Sequence, residues 1–330
     1  MAIRAASGDF QDHVDPLGEA LHVLRMSSSF YSSCAFTAPW GLGLPAFPNA
    51  IMFHIVTGGR PWLEVDGAAP RLLQPGDLAL VPHGDGHRLV SEPGLPAVDL
   101  WDLPRQELSE RYEIIRIDGG GAATSMLCGT IQFDHPAAHH LVEVLPRLIA
   151  VEAGNAHQTD WIQSTVRFMA SEARALRPGG ETVITRLADV LVIQAIRSWI
   201  EQDPAAQTGW LGALRDPQIG RSIALIHRDP AHPWSVARLA YEVAMSRSAF
   251  AARFTDLVGE TPMHYVARWR MQVAATSLRE ESVTLGELAL RLGYGSEAAF
   301  SRAFKRIIGV SPGAVRREKS AGLTAPVRSK

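Results

Sequence analysis

Residues whose types and spacing could do chemistry fall into two groups in this 330-residue chain. The first is cationic and lies towards the C-terminus: Arg302, Lys305 and Arg306, preceded at a distance by Arg247 and Arg253. Arginine presents a planar fork that fits a phosphate or the Hoogsteen edge of guanine, while lysine supplies a point charge. The second group is thin and soft: His54, His87 and the two cysteines of the chain, Cys34 and Cys128. His54, His87 and Cys128 are candidate ligands for one metal if their strands adjoin. The alternative is that His87 hydrogen-bonds inside a barrel and His54 is an ordinary strand residue; no firm metal site and no cofactor are expected. Two cysteines cannot form a stapling framework or a zinc ribbon, so the fold must rest on apolar burial. Cys34 and Cys128 are candidates for a transient redox pair, which oxidation could bridge if their Cα atoms lie about 4.4 to 6.8 Å apart; the alternative is that both are small buried hydrophobes.

The elements that must position these groups can be bounded from composition. At 46% hydrophobic and 20% charged the chain has material for buried cores, which excludes disorder over most of its length. Its length suggests two domains or three. No apolar run is long enough to cross a bilayer, and Met1 to Asp15 reads as polar and acidic, so no membrane partner and a cytoplasmic location are expected. The net charge of −2 hides a division. Residues 1–214 hold 14 Arg and Lys against 24 Asp and Glu, whereas residues 215–330 hold 18 against 10. A basic domain joined to an acidic one is the asymmetry expected when one part meets a polyanion.

From Asp216 to Glu318 the pattern is that of short helices separated by capping signals. Ile219, Ile223 and Ile226 recur at helical spacing before Asp229-Pro230 ends the run. Ser235 caps a helix over Val236–Val243, Ala244-Met245 turns the chain, and Ser246 caps a second helix that turns Phe250, Phe254 and Leu257 inward and stops at Gly259. After a long helix from about Pro262 to Glu280 the arrangement repeats. Thr284 to Glu287 is a capping box, Gly293-Tyr294-Gly295 is the turn, and Ser296 caps a helix that buries Phe300 and Phe304 and ends at Gly309.

This stretch resembles the AraC/XylS-type transcription regulators. The resemblance is carried by Ala289, Gly293, Tyr294, Ser296, Phe300, Ser301, Arg302, Phe304, Lys305, Arg306, Gly309, Ser311 and Pro312, in register and without gaps. Val315 departs from the pattern, since the family usually has an aromatic residue there, which is expected to loosen the last helix. The resemblance implies a seven-helix domain that lays two recognition helices into successive major grooves, about 34 Å apart. By motif position Ser248, Ala251 and Ala252, and Glu297, Ala298, Ser301 and Arg302, face base edges or the adjoining phosphates. Arg302 is the leading specificity residue, and Arg247, Arg253, Lys305 and Arg306 are expected on phosphates.

Between about Ser29 and Phe133 short β-favouring runs alternate with Gly and Pro, which predicts a small antiparallel barrel or sandwich. Gly76, Pro82, Gly84 and His87 resemble the second motif of the cupins, a hairpin that aims its histidine inward. The first cupin motif is poorly kept, because Val56 stands two residues after His54 where the motif has a second histidine, and Glu64 lies too far along. Trp40, Phe53, His54, Trp62, His87 and Trp101 are the candidates for lining an effector pocket. Leu141, Val144, Leu145 and Leu148 predict a helix after Asp134, and Trp161–Leu176 and Glu181–Ile200 predict a helical hairpin able to pair protomers.

The fold class expected is therefore multidomain α+β: a cupin-like antiparallel β-barrel followed by helices, then an all-α domain with two helix-turn-helix units. The boundaries read as 1–134 for the sensor barrel, 135–202 for the helical region, 203–214 for a linker, 215–318 for the DNA-binding domain and 319–330 for a tail. The function expected is a non-enzymatic regulator. Its partners would be a double-stranded DNA operator, a small-molecule or oxidant effector and a second protomer, with RNA polymerase as a further candidate. The competing class is a metal-dependent cupin oxygenase or isomerase tethered to a basic domain.

Overall fold

A computed structural model of the chain describes residue 18 and residues 26–133, 141–153, 159–175, 177–207, 209–280 and 282–322. The chain divides into two compact units, one over Val23–Ala206 and the other including Gln207–Lys330. In the first, twelve strands are described: β1 (Met26–Thr37), β2 (Gly41–Leu44), β3 (Ala50–Gly58), β4 (Trp62–Val65), β5 (Arg71–Leu72), β6 (Leu78–Val81), β7 (His87–Val90), β8 (Val98–Asp99), β9 (Arg105–Ser109), β10 (Tyr112–Asp118), β11 (Ala123–Phe133) and β12 (Ile149–Val151). They form a seven-stranded sheet in the order β12-β6-β3-β11-β1-β10-β9 and a five-stranded sheet in the order β5-β4-β7-β2-β8.

Of the expected antiparallel barrel or sandwich, the chain forms two sheets rather than a closed barrel, and β1–β10 and β2–β8 pair in parallel. Strand β3 shows why alternation was weak here: Ala50 to Val56 are all buried, because helices cover the face that does not meet the other sheet. Side-chain parity sorts the two faces. Met52 and Val56 of β3, Cys34 and Phe36 of β1, Met126 and Cys128 of β11 and Ala79 and Val81 of β6 join Leu63, Val65 and Leu89 of the smaller sheet in one core.

Helices α1 (Thr159–Ala175) and α2 (Gly180–Gln202) form the expected hairpin and pack on this unit, α1 against β3 and α2 against β12 and β6. The helix expected through Leu148 ends earlier, and Ile149–Val151 pairs with Leu78–Leu80 as an edge strand. Pro146 gives the reason, since it disfavours helical backbone in the residue before it.

The second unit contains α3 (Gly209–Arg215), α4 (Pro217–Arg228), α5 (Val236–Glu242), α6 (Arg247–Val258), α7 (Pro262–Glu280), α8 (Leu285–Arg291), α9 (Glu297–Ile308) and α10 (Pro312–Gly322). Residues 209–214, expected within the linker, are helical instead. Trp210, Leu211, Ala213 and Leu214 of α3 are buried, and the Trp210 indole donates to the Tyr265 hydroxyl at 2.9 Å. Burial of that apolar stripe outweighs the turn-forming residues just before it.

Serine or threonine caps start four helices, and the Ser235, Ser246, Thr284 and Ser296 side chains each accept from a backbone N–H of the first turn. Thr284 and Glu287 complete the capping box. Each such cap is worth about 1 kcal/mol, whereas truncating a buried phenylalanine costs about 3–5 kcal/mol. Phe250 and Phe254 of α6 and Phe300 and Phe304 of α9 are fully buried, so packing rather than capping dominates the position of both helices. Val315 is buried in the layer around Phe300 and Phe304, so the smaller residue there is accommodated by packing. Arg270 of α7 ties the two repeats together: its guanidinium donates to the Pro230 and His232 carbonyls at 2.6 and 2.8 Å and lies over the Tyr294 ring.

The two helix-turn-helix turns differ at one position. Gly293 has φ 76°, a conformation open to glycine, but Ala244 occupies the matching place at φ 53°. Ala244→Gly is expected to stabilise the protein by about 1 kcal/mol by removing left-handed strain. Gly293→Ala should destabilise it by more than that, because the new Cβ would lie 2.7 Å from the Ala231 carbonyl oxygen. Urea midpoints followed by helical circular dichroism check this pair, and shifts of the same sign would contradict it.

Candidate functional site

The cationic surface follows from the packing of α6 and α9. With the phenylalanines fixed inside, Arg247, Ser248 and Ala252 of α6 are exposed and Ala251 is half-buried. On α9 Glu297, Ala298, Arg302, Lys305 and Arg306 are exposed and Ser301 is half-buried. The residues expected to face a duplex therefore lie away from the apolar core of their helices. Arg302 has no ion-pair partner among the described residues. An open depression of about 670 Å³ runs between α9 and the start of α10, lined by Ser301, Arg302, Lys305, Arg306, Ser311 and Gly313 among others. It combines three cations with the N-terminal end of a helix, a setting that favours anionic oxygen.

Arg253 differs from the others. Its Nε and Nη2 donate to the Asp216 carboxylate at 3.0 and 2.6 Å, while the other oxygen of Asp216 caps the Gln218 and Ile219 amides. The side chain placed on phosphates by motif position is thus engaged in holding α6 to the start of α4. The sequence offered a signal for this in Asp216-Pro217, a capping residue before a first-turn proline.

In the first unit a cavity of about 340 Å³ opens among Phe30, Leu42, Phe47, Trp101, Arg105 and Glu113, with Ser32, Cys34, His54 and Cys128 also on its wall. That size suits a small organic molecule. Of the expected pocket residues, His54 and Trp101 line it, and His87 contacts His54. Trp40, Phe53 and Trp62 do not line it. Parity explains two of these corrections: Phe53 lies on the face of β3 opposite His54, and Trp62 on the face of β4 opposite the inward Leu63 and Val65. Trp40 is buried in the core against Phe36, with ring centroids 4.7 Å apart.

Trp101 is half-exposed, and the Arg105 guanidinium lies over it at 5.0 Å. Below them Glu113 is buried, accepts from the Ser32 hydroxyl at 2.7 Å and faces Arg105 at 3.8 Å. Neither Arg105 nor Glu113 was recognised from sequence. The signal available was a carboxylate inside the run Tyr112–Asp118, which is otherwise rich in β-branched residues.

The two histidines, candidates for metal ligands or for hydrogen bonding inside the fold, meet each other directly. His54 Nε2 and His87 Nε2 are 2.7 Å apart, and His87 Nδ1 donates to the Asp85 carbonyl. Burial and the neighbouring His54 hold His87 down at about 3, so it is neutral and its Nε2 accepts a hydrogen bond from the His54 Nε2–H. Two nitrogens sharing a tetrahedral zinc at about 2.0–2.1 Å would stand about 3.3 Å apart. Among the described residues no group of three or more His, Cys, Asp or Glu side chains converges as an ion's ligand set. The residues present therefore do not fit a metal, and His54, His87 and Cys128 are read as a hydrogen-bonded cluster. Cys34 and Cys128 lie side by side, both buried, with Cys34 donating its S–H to Cys128 at 3.8 Å.

The chain matches two family profiles, one described as Cupin over residues 15–201 and one described as Helix-turn-helix domain over residues 239–318. A putative AraC-like transcription regulator of Streptomyces lividans is 35% identical over 306 residues, covering 92% of this chain and 98% of that protein. A putative AraC-like transcription regulator of Streptomyces antibioticus is 34% identical, covering 92% and 99%. The HTH-type transcriptional regulator AlkR of Acinetobacter baylyi is 28% identical, covering 91% and 98%.

Burial raises the Glu113 carboxyl above its ordinary range, against the opposing effects of Ser32 and Arg105. A carboxyl raised on folding stabilises the fold while protonated, and that contribution is lost as pH rises through its folded value. Glu113→Gln keeps an acceptor for Ser32 and removes the charge. The urea midpoint of the β-rich unit is expected to match the parent near pH 4 and to exceed it near pH 7. A lower midpoint at neutral pH would show that the Arg105 pairing outweighs the cost of burial.

Proposed function

The chain belongs to the AraC-like transcription regulators that carry an N-terminal cupin domain, and from that premise we propose how it reads its operator and its signal. The exposed faces of α6 and α9 enter consecutive major grooves of double-stranded DNA. Arg302 forks onto a guanine, Ser248, Ala251, Ala252, Glu297, Ala298 and Ser301 lie over neighbouring base edges, and Arg247, Lys305 and Arg306 contact phosphates. Arg253 acts through Asp216 by fixing the angle of α6. A small organic effector occupies the cavity beside Trp101 and Glu113, and it shifts operator affinity by its difference in affinity for two states of the protein.

The observation that carries the proposal is the repeated geometry of α6 and α9, each buried through two phenylalanines with its polar face outward. Pairing of protomers through the α1–α2 hairpin extends it, supported by the exposure of Phe168 and Val190 on those helices. Contact with RNA polymerase and action in the cytoplasm complete the proposal.

Arg302→Ala is expected to weaken operator binding by about 5- to 150-fold, which corresponds to about 1–3 kcal/mol, and to weaken binding to a random duplex much less. Lys305→Ala should instead lower both affinities together and reduce the slope of log affinity against log salt by about 0.9. Fluorescence anisotropy titrations at several salt concentrations separate the two roles. Equal losses on operator and random DNA for Arg302→Ala would remove it as a specificity residue.

A further inference from the structure

The wall of the cavity carries two nucleophilic groups that neither operator binding nor effector binding uses. Cys34 lies on β1 and Cys128 on the adjoining β11. In the antiparallel register Cys34 opposes Met126 and Ser32 opposes Cys128, so the cysteines are diagonal neighbours on one face. Both line the cavity, both are free thiols, and their sulfurs are 3.8 Å apart. Across the other edge of β11 Cys128 stands directly opposite His54, which contacts His87 of β7, and the acidic groups lining the cavity are Glu107, Glu110 and Glu113. We propose that Cys34 and Cys128 form a reversible dithiol–disulfide couple through which this protein registers a peroxide-class oxidant admitted by the cavity.

The hydrogen bond assigns the roles. Cys34 directs its S–H at Cys128, which favours the thiolate form of Cys128 and makes that sulfur the point of attack. Cys128 gives up its thiol proton and the thiolate takes the distal oxygen of a hydroperoxide: an S–O bond forms, the O–O bond breaks, and the leaving oxygen takes up the proton Cys128 lost and departs as alcohol or water. The Cys34 sulfur then attacks Cys128, forming S–S and expelling hydroxide, which leaves as water with the Cys34 proton. In sum two thiols and one hydroperoxide give one disulfide, one alcohol or water, and one water. An external dithiol reverses the step by exchange.

Burial makes the response selective. Cys34 and Cys128 are 1% and 5% exposed, so a peroxide small enough for the cavity reaches them while a second protein chain does not. Closure also requires movement. The sulfurs must approach from 3.8 Å to about 2.05 Å. Diagonal residues of an antiparallel pair have Cα atoms about 7–8 Å apart, wider than the usual 4.4–6.8 Å of a disulfide. Strand β1 therefore shifts against β11, and because β1 also pairs with β10, the shift reaches the strand that carries Glu113 and Ile115. Oxidation in this way changes the walls of the effector cavity.

The test uses the full chain without DNA, so its outcome is independent of the operator and effector assignments. Reduced protein is titrated with hydrogen peroxide, and free thiols and intact mass are read after denaturation. The expected result is loss of both thiols with one equivalent of peroxide, a mass lower by two hydrogens, no cross-linked dimer on a non-reducing gel, and full recovery with dithiothreitol. Cys34→Ser should halt at a sulfenic acid on Cys128 that dimedone traps, and Cys128→Ser should react at least about tenfold more slowly. The wild-type readouts stand even if a variant fails to fold. Thiols that stay free, disulfides only between chains, irreversible sulfinic acid on either cysteine, or thiols protected by a stoichiometric metal until chelation would each overturn the proposal.

Discussion

The structure of the second unit depends on the burial of two phenylalanine pairs. Phe250 with Phe254 and Phe300 with Phe304 lie at i, i+4 on α6 and α9, with ring centroids 5.6 and 5.8 Å apart, and all four are sealed from water. An apolar stripe of that kind fixes the rotation of a helix about its own axis as well as its place in the bundle. Once the rotation is fixed, the outward side chains have no freedom of direction beyond their own rotamers. Arg302 thus points away from the core because Phe300 and Phe304 point into it. The long helix α7 provides the floor common to both repeats, and Arg270 joins the loop after α4 to the turn before α9.

The first unit is organised by a different constraint, the twofold alternation of side chains along a strand. Even-numbered residues of β1, β3 and β11 face the space between the sheets, and odd-numbered residues face the helices or the outer surface. That single rule places Ser32, Cys34, His54 and Cys128 on one wall, and it removes Phe53 from it. The cavity is thus mostly apolar with a few polar groups at defined points. The buried contact of His54 with a neutral His87 occupies the position where a cupin-like fold would present an ion's ligands. Two rings bound to each other in this way serve as a rigid part of the sensor wall.

Much of this was legible in the sequence, and the reasons differ by region. Helices of the second unit carry their own start and stop chemistry, so Ser246, Thr284, Ser296, Gly259 and Gly309 located their ends from local pattern alone. The inward histidine of the Gly76–His87 hairpin was legible for the same reason. What escaped depended on contacts distant along the chain. Trp210 made α3 helical by reaching Tyr265, and Arg253 found Asp216, pairs that no local window contains. The parallel pairing of β1 with β10 and the edge strand Ile149–Val151 likewise arise from long-range pairing. For the pocket, aromatic type was a poorer guide than strand parity, because Trp40 and Phe53 are buried elsewhere and the half-buried Trp62 lies on the outer face of β4.

Two helices with locked rotation are proposed to present their polar faces to successive turns of one duplex. Hydroxyl-radical footprinting of a duplex selected from a random pool by the full-length protein tests it most directly. The account predicts two protected backbone windows per bound chain, on the same side of the helix and about 10 base pairs apart centre to centre. A single protected window, or two windows on opposite sides of the duplex, would contradict it.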